Sequence, residues 1–139
     1  MSVIEELIRL EDNGTISFGN YLMDTKKKVL DFEVENDLYK VKTFREITKL
    51  EKNGKLLLEA VPGATLHNFS VDEKGVKFIA EAEEDIQILM ELEPEKEYKF
   101  IVDDVNMGKV NSNKSGKVNF SIEIKGQPVN VKLEKIWFC

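Results

Sequence analysis

The stretch Val118-Asn119-Phe120-Ser121-Ile122-Glu123-Ile124 alternates apolar and polar side chains at every position. Successive side chains of a strand point to opposite faces of a sheet, so this stretch predicts a strand with one buried and one exposed face. The same period of two recurs in residues 76–82, 86–92, 98–102 and 129–133. A series of short, half-buried strands favours an all-β domain.

Turn-forming dipeptides separate these strands, because Gly supplies the positive φ of tight turns and Asn tolerates it. We expect turns at Asn13-Gly14, Asn53-Gly54, Pro62-Gly63, Lys74-Gly75, Met107-Gly108, Ser115-Gly116 and Lys125-Gly126. Pro62-Gly63 fits a type II turn, in which Gly takes the positive φ. Such short connections require antiparallel pairing. The sequence therefore predicts a single β-sandwich domain over residues 1–139, with about 9–11 short antiparallel strands.

Two segments, residues 3–10 and 44–50, fit a helix as well as a strand. They belong to a repeat, because residues 6–18 align with residues 46–58 at an offset of 40 with five identities. In both copies an Asn-Gly dipeptide leads into a period-two run, which predicts two equivalent hairpins. A short N-terminal helix, opened by a Ser2–Glu5 capping box, is the alternative.

Composition excludes several kinds of site. The 139 residues are 42% hydrophobic, as in an ordinary globular protein, and contain one Cys and one His. One Cys excludes an intrachain disulfide and any zinc site with two thiolates, and one His excludes a two-His metal site within the chain. We expect no cofactor.

Charge is distributed unevenly around a net value of -6. Residues 1–80 hold 12 basic and 14 acidic groups, residues 81–104 hold 2 and 10, and residues 105–139 hold 6 and 2. The acidic balance argues against nucleic acid as a partner. An acidic stretch beside a basic tail favours head-to-tail association, whereas solvated sheet faces are the simpler explanation.

Targeting signals are not visible in the sequence. The start, Met1-Ser2-Val3-Ile4-Glu5-Glu6, lacks a basic n-region, and every apolar run is far shorter than the ~20 residues of a membrane helix. We expect a cytoplasmic protein that does not bind a membrane.

Catalytic motifs are missing as well. His67 is the one imidazole, but no GxSxG, GxGxxG or GxxxxGK[ST] motif accompanies it. Cys139 is the last residue, where a thiol is hard to hold in a catalytic geometry. We therefore expect a protein that is not an enzyme.

The least generic segments are residues 60–69, around Pro-Gly, and residues 17–21, which combine aromatic residues with a glycine. Exposed aromatic side chains suit stacking on sugars or a subunit contact, although a plain turn between strands is the simpler explanation of residues 60–69. The candidate binding residues are Phe18, Tyr21, Pro62, Gly63, His67, Asn68 and Phe69.

Acidic residues near turns provide oxygen ligands of the kind that calcium prefers. The candidates are Glu83, Glu84, Asp85, Asp103 and Asp104. No DxDxDG-type loop accompanies them, so we predict no metal site. Carboxylate pairs for glycoside hydrolysis need a separation of roughly 5–9.5 Å, which a sequence does not reveal.

Residues 92–136 resemble the closing hairpins of accessory β-sandwich domains attached to carbohydrate-active enzymes. The matching pattern comprises Tyr98, Phe100, Val102, Asp103-Asp104-Val105-Asn106, Gly108, Val110, Gly116, Val118, Phe120 and Ile122. Asp104 stands where these domains more often have Gly. This resemblance implies a packing module without catalysis.

The whole chain also resembles short, uncharacterised bacterial all-β proteins sometimes labelled "endosialidase". The matching stretches are Gly14–Tyr21, Tyr39–Leu50, Val61–Phe69 and Leu92–Tyr98. Sialidases hold the sugar carboxylate with an arginine cluster, whereas Arg9 and Arg45 are the only arginines here. The resemblance therefore implies a shared fold and not the activity.

Together these observations predict a non-catalytic binding or self-assembly β-module whose partner is a second copy or another protein. A carbohydrate-binding module is the alternative, and a carboxylate-based enzyme acting on glycans is a further one.

Overall fold

The computed structural model describes residues 3–137, which form thirteen strands and no helix. The strands are β1 (Ile8–Leu10), β2 (Ile16–Phe18), β3 (Lys27–Val34), β4 (Asp37–Phe44), β5 (Ile47–Lys52), β6 (Lys55–Val61), β7 (Thr65–Asp72), β8 (Gly75–Glu81), β9 (Ile86–Glu91), β10 (Glu97–Val102), β11 (Val105–Asn111), β12 (Lys117–Ile122) and β13 (Val129–Lys135).

Two antiparallel sheets pack as a sandwich. Sheet A has the strand order β1-β2-β7-β8-β13-β10-β11, and sheet B has the order β12-β9-β6-β5-β4-β3. Their facing sides form one apolar core, to which sheet A contributes Phe18, Leu66 and Leu133 and sheet B contributes Leu50 and Met90. Contacts between β11 and β12, and between β1 and β3, mark the two sides of the sandwich.

The predicted all-β, antiparallel class is confirmed, with thirteen strands in residues 3–137 instead of about 9–11. Turns without glycine account for much of the difference. The β3–β4 turn has Glu35 at φ 56°, and the β10–β11 turn has Asp103 and Asp104 at φ 48° and 67°. Asp and Asn tolerate this region, whereas Glu does so rarely, so a search for glycine misses such turns.

Two of the expected turns are wrong in detail. Gly108 lies inside β11 beside a break in register, and Asp103-Asp104 makes the turn instead. Gly63 is absent from the residues with positive φ, so Pro62-Gly63 is not a type II turn. Glycine is needed there for space, because a Cβ on Gly63 would lie 2.0 Å from the carbonyl oxygen of Phe44.

The two ambiguous segments contain strands, which confirms the hairpin prediction. Residues 8–10 form β1, and residues 44–50 include the end of β4 and most of β5. Residues 4–7 form one turn, in which the Leu7 amide donates to the Ile4 carbonyl at 3.0 Å, but no helix occurs between residues 3 and 10, and Leu7 has φ 73°. Ser2, the predicted cap of the alternative helix, and Cys139 lie outside the described residues.

Candidate binding sites

Three of the predicted binding residues line one open cleft at an end of the sandwich. Tyr21, Pro62 and Gly63 border it, and its volume is about 460 Å³. We name it the Tyr21 cleft, and its remaining lining residues are Arg45, Glu46, Glu83 and Glu84.

Backbone hydrogen bonds fix the shape of the Tyr21 cleft. The amide of Gly63 donates to the carbonyl of Arg45 at 2.9 Å, and the amide of Arg45 donates to the carbonyl of Met23 at 2.9 Å. The guanidinium of Arg45 lies 3.6 Å from the carboxylate of Asp24. Four connecting segments meet at the cleft: the one before β3 and those between β4 and β5, between β6 and β7, and between β8 and β9.

A polar cluster, buried at Glu81 Oε2 and His67 Nε2, links Tyr21 to His67. The Tyr21 hydroxyl donates to Glu81 Oε1 at 3.2 Å, and Glu81 Oε2 lies 3.8 Å from His67 Nε2. Within residues 3–137 neither Glu81 Oε2 nor His67 Nε2 has a hydrogen-bond partner. Burial lowers the pKa of His67, and it raises the pKa of Tyr21, with Glu81 adding to that rise.

Asn68 belongs to a second buried network that ties β7 to β2. Its amide donates to Ser17 Oγ at 3.1 Å, and the Ser17 hydroxyl donates to a carboxylate oxygen of Glu11 at 2.5 Å. That bond to Ser17 is the largest cause of the lowered pKa of Glu11. Asn68 has φ 53° within a break in the β7–β8 register, so its role here is in the geometry of the sheet.

Phe18 and Phe69 lie in the core and not on a surface. Their rings meet edge to face at 5.7 Å, and both are buried. His67 is only 6% exposed. Of the seven predicted binding residues, Tyr21, Pro62 and Gly63 thus line the open cleft, while Phe18, His67 and Phe69 are buried.

The five calcium candidates do not converge. Asp85 Oδ1 accepts the amide of Ile124 at 2.7 Å, whereas Asp103 Oδ1 accepts the amide of Asn130 at 2.9 Å. Glu83 and Glu84 border the Tyr21 cleft, and Asp104 forms the β10–β11 turn. Among residues 3–137 no group of three or more His, Cys, Asp and Glu side chains is placed to hold a metal ion.

Sequence reasoning missed an apolar cleft of about 530 Å³ on the side of the sandwich where β11 and β12 meet. We name it the edge cleft. Its apolar lining consists of Phe100, Val102, Val105, Met107, Ile122 and Val129, and its polar lining of Asp85, Asp103, Ser121, Glu123, Lys125 and Gln127.

Exposed apolar side chains border the edge cleft. Val105 and Met107 are exposed, Met107 to 60%, and the ring of Phe100 rests on that of Phe120 at 4.9 Å between centroids. The alternation in residues 98–102 and 118–124 contained Phe100, Val102 and Ile122, but not Val105 or Met107. It did not show that the two edges leave a gap, because that depends on which strands become neighbours.

Residues 3–137 contain no membrane-spanning helix. A scan against protein-family models, a search of curated proteins and a search of solved structures each give no significant match to this chain.

Proposed function

We propose that this protein is a non-catalytic binding module that docks an extended segment of a partner protein in the edge cleft. One observation carries the proposal: Val102, Val105 and Met107 line an open cleft where the edges of both sheets meet, and no described strand covers them. Contiguous exposed apolar surface of this kind favours association with apolar groups of a partner.

The backbone of β12 offers the docked segment its hydrogen bonds. β12 is an edge strand whose register runs unbroken from Lys117 opposite Glu91 to Ile122 opposite Ile86. An edge strand leaves alternate N–H and C=O groups unpaired, so an added strand pairs there and points alternate side chains toward the cleft. The other edges suit this less, because β1 has three residues and the registers of β3 and β11 are broken.

Fixed carboxylates specify the charge of the segment. Asp85 and Asp103 each accept a backbone N–H, at 2.7 and 2.9 Å, which holds them at the rim of the cleft. Glu123 adds a third carboxylate, and Lys125 lies 3.7 Å from it. Because carboxylates flank an apolar floor, the preferred segment alternates apolar residues with Lys or Arg.

Selection from a display library of random nine-residue peptides, with the full chain as bait, tests this proposal. We expect the enriched peptides to alternate apolar with basic residues. Burial of one apolar side chain contributes about 1.5–3 kcal/mol, so Met107→Asp should weaken their binding by roughly ten- to a hundredfold. Fluorescence anisotropy of a labelled enriched peptide measures that change.

Leu22→Asp is the matched control, because Leu22 is also an exposed apolar residue but lies outside the edge cleft. An equal loss of peptide binding in Met107→Asp and Leu22→Asp would contradict docking in the cleft. Self-association of the chain that Met107→Asp abolishes and Leu22→Asp does not would assign the cleft to a second copy of the chain.

Carbohydrate binding is a second candidate, and Trp137 favours it. This indole is 61% exposed and borders a groove of about 490 Å³ on the outer side of sheet A. Lys135 Nζ lies 4.3 Å from the ring centroid. A glycan array probed with the full chain and with Trp137→Ala, each with and without calcium, tests this candidate, and equal signals from the two proteins would exclude it.

The remaining expectations stay predictions. A carboxylate-based enzyme would need two facing carboxyl groups, whereas the buried carboxylate of Glu81 faces Tyr21 and His67. The cytoplasmic location rests on the sequence.

A further inference from the structure

Three lysines stand directly opposite one another on adjacent strands. Lys28 on β3 pairs with Lys42 on β4, which pairs with Lys49 on β5. The neighbouring residues Val41 and Leu50 are buried, so these lysines lie on the outer face of sheet B. Opposite residues have Cβ atoms about 4.5–5.5 Å apart, and like charges at that separation repel. We name these three residues the lysine row.

Carboxylates of the same chain do not neutralise the lysine row. Within residues 3–137 none of its three members forms an ion pair, whereas the neighbouring Lys40 pairs with Glu51 at 3.6 Å. Glu59 stands opposite Lys49 but makes no ion pair with it. Partial burial, followed by the charges of neighbouring lysines, lowers the pKa of Lys42. The lysine row therefore holds three positive charges that form no ion pair in the described part of the chain, with Glu59 as the one carboxylate in register with it, in a chain whose net charge is -6.

The complementary surface is on the same chain. Residues 81–104 carry 10 acidic and 2 basic groups, a net charge of -8. The turn between β8 and β9, residues 82–85, presents Glu83 and Glu84, which are exposed. Neither carboxylate forms an ion pair within the part of the chain that the structure describes. We name Glu83 and Glu84 the acidic turn, and Asp85, which lines the edge cleft, is not part of it.

We propose that the lysine row of one copy docks the acidic turn of a second copy, so that the protein self-associates through two unlike surfaces. The two surfaces carry opposite, unpaired charge, which steers and orients encounters between copies. The contact is heterologous, so it can continue beyond two copies. It uses neither the edge cleft nor β12 and therefore stands apart from peptide docking.

Salt dependence is the first signature of this contact. Exposed ion pairs are weak individually and are screened within about 3 Å at 1 M salt, against about 30 Å at 0.01 M. Sedimentation velocity of the full chain should give an apparent mass above 16.0 kDa at low salt and the monomer mass at 1 M. A monomer at both salt concentrations and at high protein concentration would overturn the proposal.

Charge reversal locates the contact. The triple variant Lys28→Glu, Lys42→Glu, Lys49→Glu should weaken association at low salt by at least about tenfold, the loss expected for several exposed pairs. The matched control Lys55→Glu, Lys74→Glu, Lys114→Glu has the same net charge and alters exposed residues in other parts of the chain. Equal loss in both would make net charge the cause and overturn the proposal.

Complementation identifies the partner surface. The variant Glu83→Lys, Glu84→Lys should also fail to associate alone, and a mixture of it with the lysine-row variant should associate again. A mixture that stays monomeric would contradict the pairing of these two surfaces. If the reversed lysine row does not fold, the neutral variant Lys28→Gln, Lys42→Gln, Lys49→Gln replaces it, with loss of association still expected. Retention of the wild-type chain on a polyphosphate column, together with no self-association at low salt, would assign the row to a different polyanion and overturn docking of a second copy.

Discussion

The hairpins β1–β2 and β5–β6 come from the two segments that align at an offset of 40, and they differ in their turns. Asn53-Gly54 is a two-residue turn in which both residues have positive φ, 51° and 82°. Asn13-Gly14 lies inside a longer loop closed by Leu10 opposite Ile16, and only its glycine has positive φ. The same dipeptide thus serves two different connections.

Burial separates the two hairpins further. β5–β6 lies within sheet B between β4 and β9, and Leu50 is 0% exposed. β1 is the edge of sheet A, and the aligned Leu10 is 48% exposed. Local sequence selects a hairpin in both places, whereas the position within a sheet decides which side chains it buries.

The largest expected difference between the hairpins is at this aligned leucine. Leu50→Ala removes a side chain packed on all sides and should lower the free energy of unfolding by about 2–5 kcal/mol. Leu10→Ala alters an exposed side chain and should change it by less than about 0.5 kcal/mol. Urea denaturation measures both. Similar losses would mean that β1 is as deeply packed as β5.

The second difference is at Ser17 and its aligned residue Leu57. Ser17→Ala removes the hydroxyl that donates to Glu11 and accepts from the backbone amide of Asn68. It should lower the free energy of unfolding by about 1–3 kcal/mol near pH 7. Ser17 lowers the pKa of Glu11 in the folded protein below the value of 4.5 that we take for the unfolded chain. The stabilisation by this bond is therefore present above pH 4.5, and it is lost as the pH falls through the lower pKa of the folded state.

Denaturation of wild type and Ser17→Ala at several pH values tests this sign, and the difference between the two curves should shrink as pH falls from 4.5 through the lower folded pKa of Glu11, leaving the contribution of the Asn68 bond. Leu57→Ala is the control, because it removes only apolar contact and its loss should not depend on pH. A constant difference between wild type and Ser17→Ala at every pH would contradict the role of Glu11.

Replacing the turn glycine by alanine should lower the stability by a similar amount in the two hairpins, although their loops differ. Gly14 and Gly54 have φ 84° and 82°, and a Cβ at either position meets no atom within 4 Å. Ala at either site therefore brings only the backbone penalty of the left-handed region, about 1–2 kcal/mol. Thermal unfolding of Gly14→Ala and Gly54→Ala measures it. A clearly smaller effect at Gly14 would show that the longer loop relaxes around the new side chain.

The smallest expected effects concern Arg9 and the aligned Lys49. Arg9 donates to Glu11 at 3.1 Å, so Arg9→Gln should destabilise by about 0.2–1 kcal/mol. Lys49 faces Lys42 on one side and forms no ion pair with Glu59 on the other, so repulsion should predominate and Lys49→Gln should stabilise by about the same amount at low salt. Both changes should shrink at 1 M salt, where the screening length is about 3 Å. Destabilisation by both variants would contradict repulsion within the lysine row.

The binding residues chosen from sequence show where local patterns fail. Tyr21, Pro62 and Gly63 do reach one cleft, because the segments before β3 and after β6 end at the same end of the sandwich. Phe18 and Phe69 attract attention in a sequence as aromatic residues near glycines and turns, yet they pack on each other in the core. A one-dimensional pattern does not distinguish an aromatic side chain at a surface from one at the centre of a sheet face.

Alternation in residues 118–124 and the Asn-Gly dipeptides were sufficient to predict antiparallel β-structure, because side-chain direction and turn conformation depend on neighbours along the chain. The same reasoning found that acidic charge gathers in residues 81–104. Both properties are local, and the sequence by itself determines them.

Only the tertiary structure decided the edge cleft and the lysine row. The cleft exists because β11 ends sheet A on the side where β12 ends sheet B. The row exists because residues 28, 42 and 49 come into register across three strands. Each depends on which strands pair and in what register, and the burial of the whole core fixes that pairing, since a shift by one residue would turn every apolar side chain to the opposite face.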